Sequence, residues 1–191
     1  MISAIVLAAG RATRFGSTKQ LAVVDGKPLV QHAVDAAAGG GCDEVVVVLG
    51  HDADRVERAL RLPTNARMVR NPSFAEGQST SLRAGLAALG GDSEAAVVLL
   101  ADQPGIEPTD VAAVIEGHRS TGAPIVRARF RGVPGHPVLL SRDLWPDAMT
   151  STGDAGAREL IAARPDRVHH VDIDRDPPPD IDTPTDLDLA R

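Results

Sequence analysis

The sequence contains no tyrosine, one tryptophan and three phenylalanines in 191 residues. Proteins that bind single-stranded nucleic acid stack the bases on aromatic side chains, so this scarcity argues against that class. The formal net charge of −6 argues in the same direction, because nucleic acids and anionic membranes attract basic surfaces. We therefore expect neither a nucleic acid nor a membrane as a partner. A small anionic ligand in a locally basic pocket is still compatible with this charge.

Cysteine and long apolar runs are also scarce. The single cysteine, Cys42, excludes an internal disulfide and any metal cluster with several cysteine ligands, and we expect it to be a small buried or loop residue. The first apolar run stops at Gly10 and follows no basic segment, which is not the pattern of a signal peptide. No stretch approaches the roughly 18 apolar residues of a membrane helix. These features predict a cytoplasmic protein.

Three apolar runs do not alternate with polar residues: Ala4–Ala8, Val45–Leu49 and Ala95–Ala101. Such strands are typical of a parallel sheet that is covered by helices on both faces. Helical patterns lie between the runs and continue after them, including one helix predicted over residues 153–165. No internal repeat or linker divides the chain. We predict a single α/β domain over residues 1–191, doubly wound and Rossmann-like, with a mostly parallel sheet and helices on both faces.

Small and basic residues follow the first run, in the stretch IVLAAGRATRFGSTKQL. Ligands of open parallel sheets bind at the carboxyl ends of the strands, where small residues let the backbone approach closely. Backbone N–H groups in such a turn bind anions, and arginine and lysine add full charges. The stretch matches neither G-x-x-x-x-G-K-[ST] nor G-x-G-x-x-G. Rather than a surface loop with solvated cations, we predict a polyphosphate site formed by Leu7, Ala8, Ala9, Gly10, Arg11, Arg14 and Lys19.

Asp102 follows the apolar run VVLLA, so we expect it at the carboxyl end of a strand, beside this loop. A carboxylate at that place suits Mg²⁺, which binds one or two carboxylates together with phosphate oxygens. An aspartate before Gln103-Pro104 is also typical of a simple turn. The acidic pair Asp180 and Asp182 precedes Thr-Pro, which is typical of a helix start. Asp102 and this pair are far apart in the sequence, so both can bind one metal only if the fold brings the last loop to the first.

The segments described so far, and several others, resemble the MobA-like nucleotidyltransferases, and among them the molybdenum cofactor cytidylyltransferases. The stretch LAAGRATRFGSTKQL is similar to the family signature L-A-A-G-x-x-x-R-[MF]-G-x-x-K. The resemblance continues, in the order of the family, through five further blocks that span nearly the whole chain: NPSFAEGQSTSLRAGL, LLADQPGI, GVPGHPVLL, GDAGAREL and DIDTPTDL.

The resemblance implies the transfer of a nucleoside monophosphate, CMP from CTP, to the phosphate of molybdopterin, with release of pyrophosphate and with Mg²⁺ as cofactor. It implies a molybdoenzyme or its maturation chaperone as a protein partner, and it implies no oligomeric state. Gln78 stands where relatives commonly carry methionine, which leaves the preferred base open. The site residues that the resemblance implies are Arg14, Lys19 and Asp102 for catalysis; Asp102 and Asp182, with Asp180 as the weaker candidate, for the metal; Asn71, Gly77 and Ser79 for the nucleotide; and His136, Asp154 and Arg158 for the acceptor.

Several alternatives stay open. The acceptor could be another phosphorylated molecule, such as a sugar phosphate, and the protein could be a nucleotide-binding regulator without activity. A nicotinamide- or flavin-dependent oxidoreductase can use the same scaffold, but the sequence lacks the G-x-G-x-x-G fingerprint. Ser79 or Ser81 could serve as a helix N-cap. Asp154 and Arg158, at i and i+4, could simply pair along a helix, which contributes about 0.2–0.5 kcal/mol.

Overall fold

The computed structural model describes residues 1–11 and 15–190. Its strands are β1 (Ile2–Ala8), β2 (Val23–Val24), β3 (Lys27–Pro28), β4 (Glu44–Leu49), β5 (Ala66–Arg70), β6 (Ala95–Leu100), β7 (Ile125–Phe130), β8 (Val133–Ser141) and β9 (Val168–Ile173). Its α-helices are α1 (Leu29–Gly39), α2 (Ala53–Ala59), α3 (Gln78–Ala88), α4 (Pro108–Thr121), α5 (Trp145–Thr150), α6 (Arg158–Ala162) and α7 (Pro184–Leu189).

Seven of these strands form one sheet in the order β5-β4-β1-β6-β8-β7-β9. Strands β5, β4, β1 and β6 are parallel, β8 runs antiparallel to both of its neighbours, and β9 is parallel to β7. The short strands β2 and β3 form a separate hairpin. The carboxyl ends of β1 and β6 therefore lie side by side at one edge of the sheet. This edge is where an open α/β sheet binds its ligands.

Both faces of the sheet are buried, which explains the unbroken apolar runs. Ile5 and Leu7 of β1 pack with residues of α3 and α5 on one face, whereas Ala4, Val6 and Ala8 pack with α1 and α4 on the other. Burial of a Val, Leu or Ile side chain contributes roughly 1.5–3 kcal/mol, so these two apolar layers provide most of the driving force for the fold. The predicted doubly wound, mostly parallel sheet with helices on both faces is confirmed.

Some elements differ from the prediction. The helix predicted over residues 153–165 is a 3-10 turn at Gly153–Ala155 followed by the short helix α6. Gly156 interrupts it, because its φ of +51° is incompatible with a right-handed helix. Strand β5 was not predicted, since it lies at the edge of the sheet, is only half-buried and contains two arginines. An edge strand of this kind has no continuous apolar run to mark it.

The segment after β9 folds back over the end of β6. Arg175 donates to the carbonyl oxygen of Gly105 at 3.0 Å and pairs with the buried carboxylate of Asp110. Further along, the backbone N–H of Ile181 donates to the carbonyl oxygen of Asp102 at 2.9 Å. The Ile181 side chain is fully buried in a small apolar cluster with Val24, Leu29 and Leu187. The last loop is thus brought to the end of β6, where Asp102 lies.

Two composition-based expectations can be compared with the fold. Cys42 is buried, and this burial, together with the neighbouring Asp43, raises the pKa of its thiol to about 12. It is a small buried residue, as predicted. Within residues 1–11 and 15–190, the helices are all too short or too polar to cross a bilayer.

Candidate active site

A cleft of about 400 Å³ opens where β1 and β6 end. Its floor is formed by the last residues of the two strands, and its walls are the loop after β1 and the loop before α3. The residues after β1 and Asp102 were predicted to lie together at this edge of the sheet, and both contribute to the lining of the cleft. The residues that line the cleft are Leu7, Ala9, Gly10, Arg11, Lys19, Gln20, Phe74, Ala75, Gly77, Gln78, Ser81, Leu100, Ala101, Asp102 and Asp154.

Lys19 contacts two carboxylates, that of Asp102 in the cleft and that of Asp182 in the last loop. Its Nζ donates to Oδ2 of Asp102 at 2.8 Å and to Oδ1 of Asp182 at 2.9 Å, and only 12% of its side chain is exposed. Burial opposes the charge of the ammonium, but the two carboxylates outweigh burial and raise the pKa of Lys19 above 10.5. Lys19, Asp102 and Asp182, which are far apart in the sequence, therefore form one charged cluster.

The two carboxylates of this cluster suit a divalent cation. With one ammonium against two carboxylates, the cluster keeps one net negative charge. The second oxygen of Asp102, Oδ1, is buried and has no hydrogen-bond partner among the described residues. Within residues 1–11 and 15–190, no group of three or more His, Cys, Asp or Glu side chains is placed to hold a metal. Two carboxylates are nevertheless sufficient for Mg²⁺ when phosphate oxygens and water complete its coordination.

Asp180 lies in the same segment as Asp182 but has a different partner. Its Oδ1 accepts a hydrogen bond from Nε2 of Gln103 at 2.6 Å. Burial, together with the nearby carboxylates of Asp102 and Asp182, raises the pKa of Asp180 above its ordinary value. Of the two aspartates considered for the metal, Asp182 is the one that shares Lys19 with Asp102.

Gln20 and Phe74 line the cleft although neither was predicted as a site residue. Nε2 of Gln20 donates to the carbonyl oxygen of Gly10 at 2.8 Å and thereby fixes the turn after β1. The guanidinium of Arg11 lies over the ring of Phe74, 5.7 Å from its centroid. For Gln20, the only signal in the sequence that could have indicated a place in the cleft was its position directly after Lys19. Phe74 lies in a block that was interpreted through its glycine and serines.

Gly77 brings the two walls of the cleft together. It occupies the N-cap position of α3 with a φ of +119°, and a Cβ at this position would overlap the backbone of Gly153. A glycine is thus required both by the backbone conformation and by the close approach. No side-chain hydrogen bond caps α3 at this position, so neither Ser79 nor Ser81 is its N-cap.

Three predicted nucleotide-binding residues do not line the cleft. The side chain of Ala8 points to the opposite face of the sheet, because alternate residues of a strand face opposite sides. Nδ2 of Asn71 donates to the hydroxyls of Thr80 and Ser81, at 2.8 and 3.0 Å, so Asn71 holds the loop from behind. Ser79 is fully buried, and its Oγ has no partner in the described part of the chain.

Of the predicted acceptor residues, Asp154 lines the cleft. His136 lies on β8, close enough to Asp102 and Arg158 for the charges of both to affect its pKa. Burial and the neighbouring arginines lower this pKa to about 4. Asp154 and Arg158 are separated by the break at Gly156, and among the described residues no ion pair or hydrogen bond joins them. The alternative of a simple helical pair is therefore excluded. Arg14 lies outside the described residues.

Comparison with known proteins agrees with this fold and cleft. Residues 4–170 match the family model described as MobA-like NTP transferase domain. The chain is 34% identical over 195 residues to nicotine blue oxidoreductase from Paenarthrobacter nicotinovorans. This alignment covers 95% of this chain and 92% of that protein. It is 25% identical over 193 residues to molybdenum cofactor cytidylyltransferase from Escherichia coli (strain K12), with coverage of 100% and 95%.

Among solved structures, the chain resembles Rv0371c from Mycobacterium tuberculosis H37Rv with a TM-score of 0.87 and 28% identity, over 98% of this chain and 96% of that one. Rv0371c has also been solved as a complex with manganese. The family model covers most of the chain, including the loop after β1, Asp102 and the loop before α3. The protein therefore belongs to the MobA-like NTP transferase family.

Proposed function

We propose that this protein transfers a nucleoside monophosphate from an NTP to a phosphorylated acceptor. The proposed donor is CTP and the proposed acceptor is molybdopterin. In this proposal residues 1–191 act as one domain. The observation that carries the proposal is the contact of Lys19 with Asp102 and Asp182 beside a cleft that residues 9–11, directly after β1, also line. A cation, two carboxylates and backbone amides are the groups that a metal-bound triphosphate needs.

In the proposed reaction, an oxygen of the acceptor phosphate attacks the α-phosphorus of the NTP. A new P–O bond forms, the bond from the α-phosphorus to the bridging oxygen of the β-phosphate breaks, and pyrophosphate leaves. A phosphate monoester is already mostly deprotonated at pH 7, because its second pKa is about 6. The chain therefore needs no strong base, and its residues act by positioning the reactants and by neutralising charge.

The roles of the residues follow from their positions in the cleft. Gly10 and Arg11 provide a backbone turn and a cation for the phosphates, and Gln20 fixes that turn through its bond to the Gly10 carbonyl. Lys19 donates to developing negative charge in the transition state. Asp102 and Asp182 would hold Mg²⁺, which supplies Lewis-acid polarisation of the phosphate oxygens when bound.

The test is release of pyrophosphate by the full-length protein with CTP, GTP, ATP or UTP, with and without molybdopterin. We expect pyrophosphate with CTP that depends on both molybdopterin and a divalent cation. Release with CTP and a different phosphorylated acceptor alone would keep nucleotidyl transfer but overturn the acceptor. No release with any of the four nucleotides and either type of acceptor would overturn the proposed reaction.

A second candidate is an oxidoreductase that uses a nicotinamide cofactor, and one observation favours it. The relative with 34% identity over nearly the full length of both chains is named nicotine blue oxidoreductase. Against it, the loop after β1 lacks the G-x-G-x-x-G pattern of dinucleotide-binding folds. Oxidation of NADH or NADPH, followed at 340 nm with a dye as electron acceptor and in the absence of any NTP, distinguishes the two, since nucleotidyl transfer changes no absorbance there.

A further inference from the structure

The strands β7 and β9 pair side by side at one end of the sheet order, separated from β6 by β8, and their side chains form successive pairs across the strands. Ile125 lies opposite Val168, Arg127 opposite His170, and Arg129 opposite Asp172. The first pair is apolar and packs in the core, and the third is an ion pair with two bonds of 2.5 and 2.7 Å. The middle pair instead places two basic side chains opposite each other. Neither residue of this pair is acidic, whereas Asp172 in the next pair neutralises Arg129.

Arg127 is held in place by the backbone. Its Nε donates to the carbonyl oxygen of Gly135 at 3.1 Å, and its Nη2 donates to that of Pro134 at 3.2 Å. These carbonyls fix the guanidinium but do not neutralise it, and no carboxylate of the described residues forms an ion pair with it. Arg129, two residues further along, has Asp172 as its partner. A half-buried guanidinium without a counter-ion is unusual, because burial without a partner disfavours the charge.

Two more basic side chains lie near Arg127. His136 is half-buried and follows Gly135, whose carbonyl binds Arg127, and Arg158 at the start of α6 is close enough to affect the charge of both. Nδ1 of His170 is buried and has no hydrogen-bond partner among the described residues. Burial and the neighbouring arginines lower the pKa of both histidines, so each is a neutral hydrogen-bonding group at pH 7. We refer to Arg127, His136, Arg158 and His170 as the basic cluster.

The basic cluster lies beside the cleft rather than at a remote surface. Arg127 and His170 follow Ile125 and Val168 by two residues, so they lie on the same face of the sheet as the cleft. His136 connects the two places, because it lies two residues before Val138, which pairs with Val98 of β6, and Leu100, two residues after Val98, lines the cleft. An anion beside His136 would therefore lie on the side of the cleft that carries Asp102.

We propose that the basic cluster binds the phosphate monoester of the acceptor, with Arg127 and His170 as binding residues in addition to His136 and Arg158. A phosphate dianion would supply the missing counter-charge for two guanidinium groups and would accept hydrogen bonds from the imidazoles. Binding there would present a phosphate oxygen to the α-phosphorus of an NTP in the neighbouring cleft. This proposal rests on the proposed function, because it assigns the binding site for the phosphate group of the acceptor.

The test uses inorganic phosphate as the probe and the ring nitrogens of the histidines as the reporters. Phosphate is titrated into full-length protein with ¹⁵N-labelled histidine at pH 7, without nucleotide or divalent cation, and the apparent Kd is read from the signals of His136 and His170. Local reporters are needed because phosphate can also bind at the loop after β1. We expect saturable shifts of both histidines in the wild-type protein.

Arg127→Gln is expected to raise this Kd at least about tenfold, because it removes a charge-assisted contact. The matched control is Arg129→Gln, which removes the same charge from the same strand and face but from a residue that Asp172 already neutralises. We expect its Kd within about twofold of the wild type. An equal loss in both variants, or no loss in either, would overturn the proposal.

A second variant keeps the test valid if Arg127→Gln does not fold. His170→Asp places an acid opposite Arg127, as Asp172 stands opposite Arg129, and should fill the site with an internal counter-ion. We expect His136 to lose its response to phosphate while the melting temperature is maintained or raised. An unchanged response would overturn the proposal. The phosphate titration does not depend on turnover, so the two proposals can fail separately. If the wild-type protein releases no pyrophosphate but binds phosphate, and the variants lose this binding, the proposed function is refuted and the anion site is not.

Discussion

At the scale of single residues, Lys19 has an unusual environment for a lysine. It is nearly buried, and its ammonium is shared by two carboxylates, one from the middle and one from near the end of the chain. The ammonium compensates the repulsion between Asp102 and Asp182 as long as no divalent cation is bound. The same side chain would neutralise phosphate charge in the proposed reaction. These two roles predict different consequences when the charge is removed.

We expect Lys19→Met to lower kcat for pyrophosphate release about 100-fold or more, because a preorganised cation is lost where charge develops. The two carboxylates then face each other without a counter-charge, so MgCl₂ should raise the melting temperature of the variant more than that of the wild type. Steady-state rates and thermal unfolding with and without MgCl₂ measure the two effects.

The matched control for this variant is Lys27→Met, which removes an exposed lysine that pairs with Asp35 away from the cleft. We expect nearly wild-type rates and the wild-type response to MgCl₂. A Lys19→Met protein with a kcat within about threefold of the wild type would contradict the role assigned to Lys19.

At the scale of elements, the segment between β9 and α7 brings the second aspartate of the proposed metal site to Lys19. It carries Asp182 to the cleft, and its anchor is Ile181, whose backbone binds the carbonyl of Asp102 and whose side chain is fully buried. Arg175 fastens the start of the segment to Gly105 and Asp110. Stability and metal binding should therefore be coupled in this segment.

Ile181→Ala should lower the free energy of unfolding by about 2–5 kcal/mol, the usual cost of truncating a buried isoleucine. Because Asp182 is the next residue, the variant should also need a higher concentration of divalent cation for half-maximal activity. Urea unfolding and a metal titration of the rate test both effects. Leu189→Ala, at a side chain that is 83% exposed, is the control and should change neither. Loss of stability with an unchanged metal requirement would show that Ile181 does not position Asp182.

At the scale of the whole molecule, a half-buried neutral histidine, His136, makes the fold sensitive to mild acid. Burial and nearby arginines lower the pKa of His136 from 6.5 to about 4 in the folded protein. Between these values the unfolded chain binds a proton that the folded protein does not, so stability falls as the pH falls from 6.5 towards 4. His136 alone should account for a loss of about 2 kcal/mol at pH 5 relative to pH 7.5.

Urea unfolding of the wild type and of His136→Gln at pH 7.5 and pH 5 measures this contribution. The variant has no imidazole to protonate, so its free energy of unfolding should fall less between the two pH values. The carboxylates with lowered pKa, such as Asp143 and Asp172, lose their contribution only below about pH 4, since folding lowers their pKa from 3.8. An identical pH dependence in both proteins would contradict the burial of a neutral His136.

The sequence by itself determined the class of fold and one wall of the cleft. Apolar runs that do not alternate require cover on both faces, and this local pattern identified β1, β4 and β6 and the edge at which they end. The small and basic residues after β1 predicted an anion-binding loop from chemistry that lies within a few residues of the chain. Such features are readable because periodicity and loop chemistry are local.

Only the tertiary structure decided which side chains meet. Lys19 and Asp182 are 163 residues apart, and their contact depends on the anchoring of the last segment through Ile181. Arg127 and His170 face each other only because β7 and β9 pair in one particular register. The sequence predicted the aspartates and Lys19 as site residues, but not that Lys19 bridges the two carboxylates. It predicted His136 and Arg158 for the acceptor, but it did not indicate Arg127 or His170. The physical reason is that register and loop packing are set by the burial of the whole core, which no short stretch of sequence encodes.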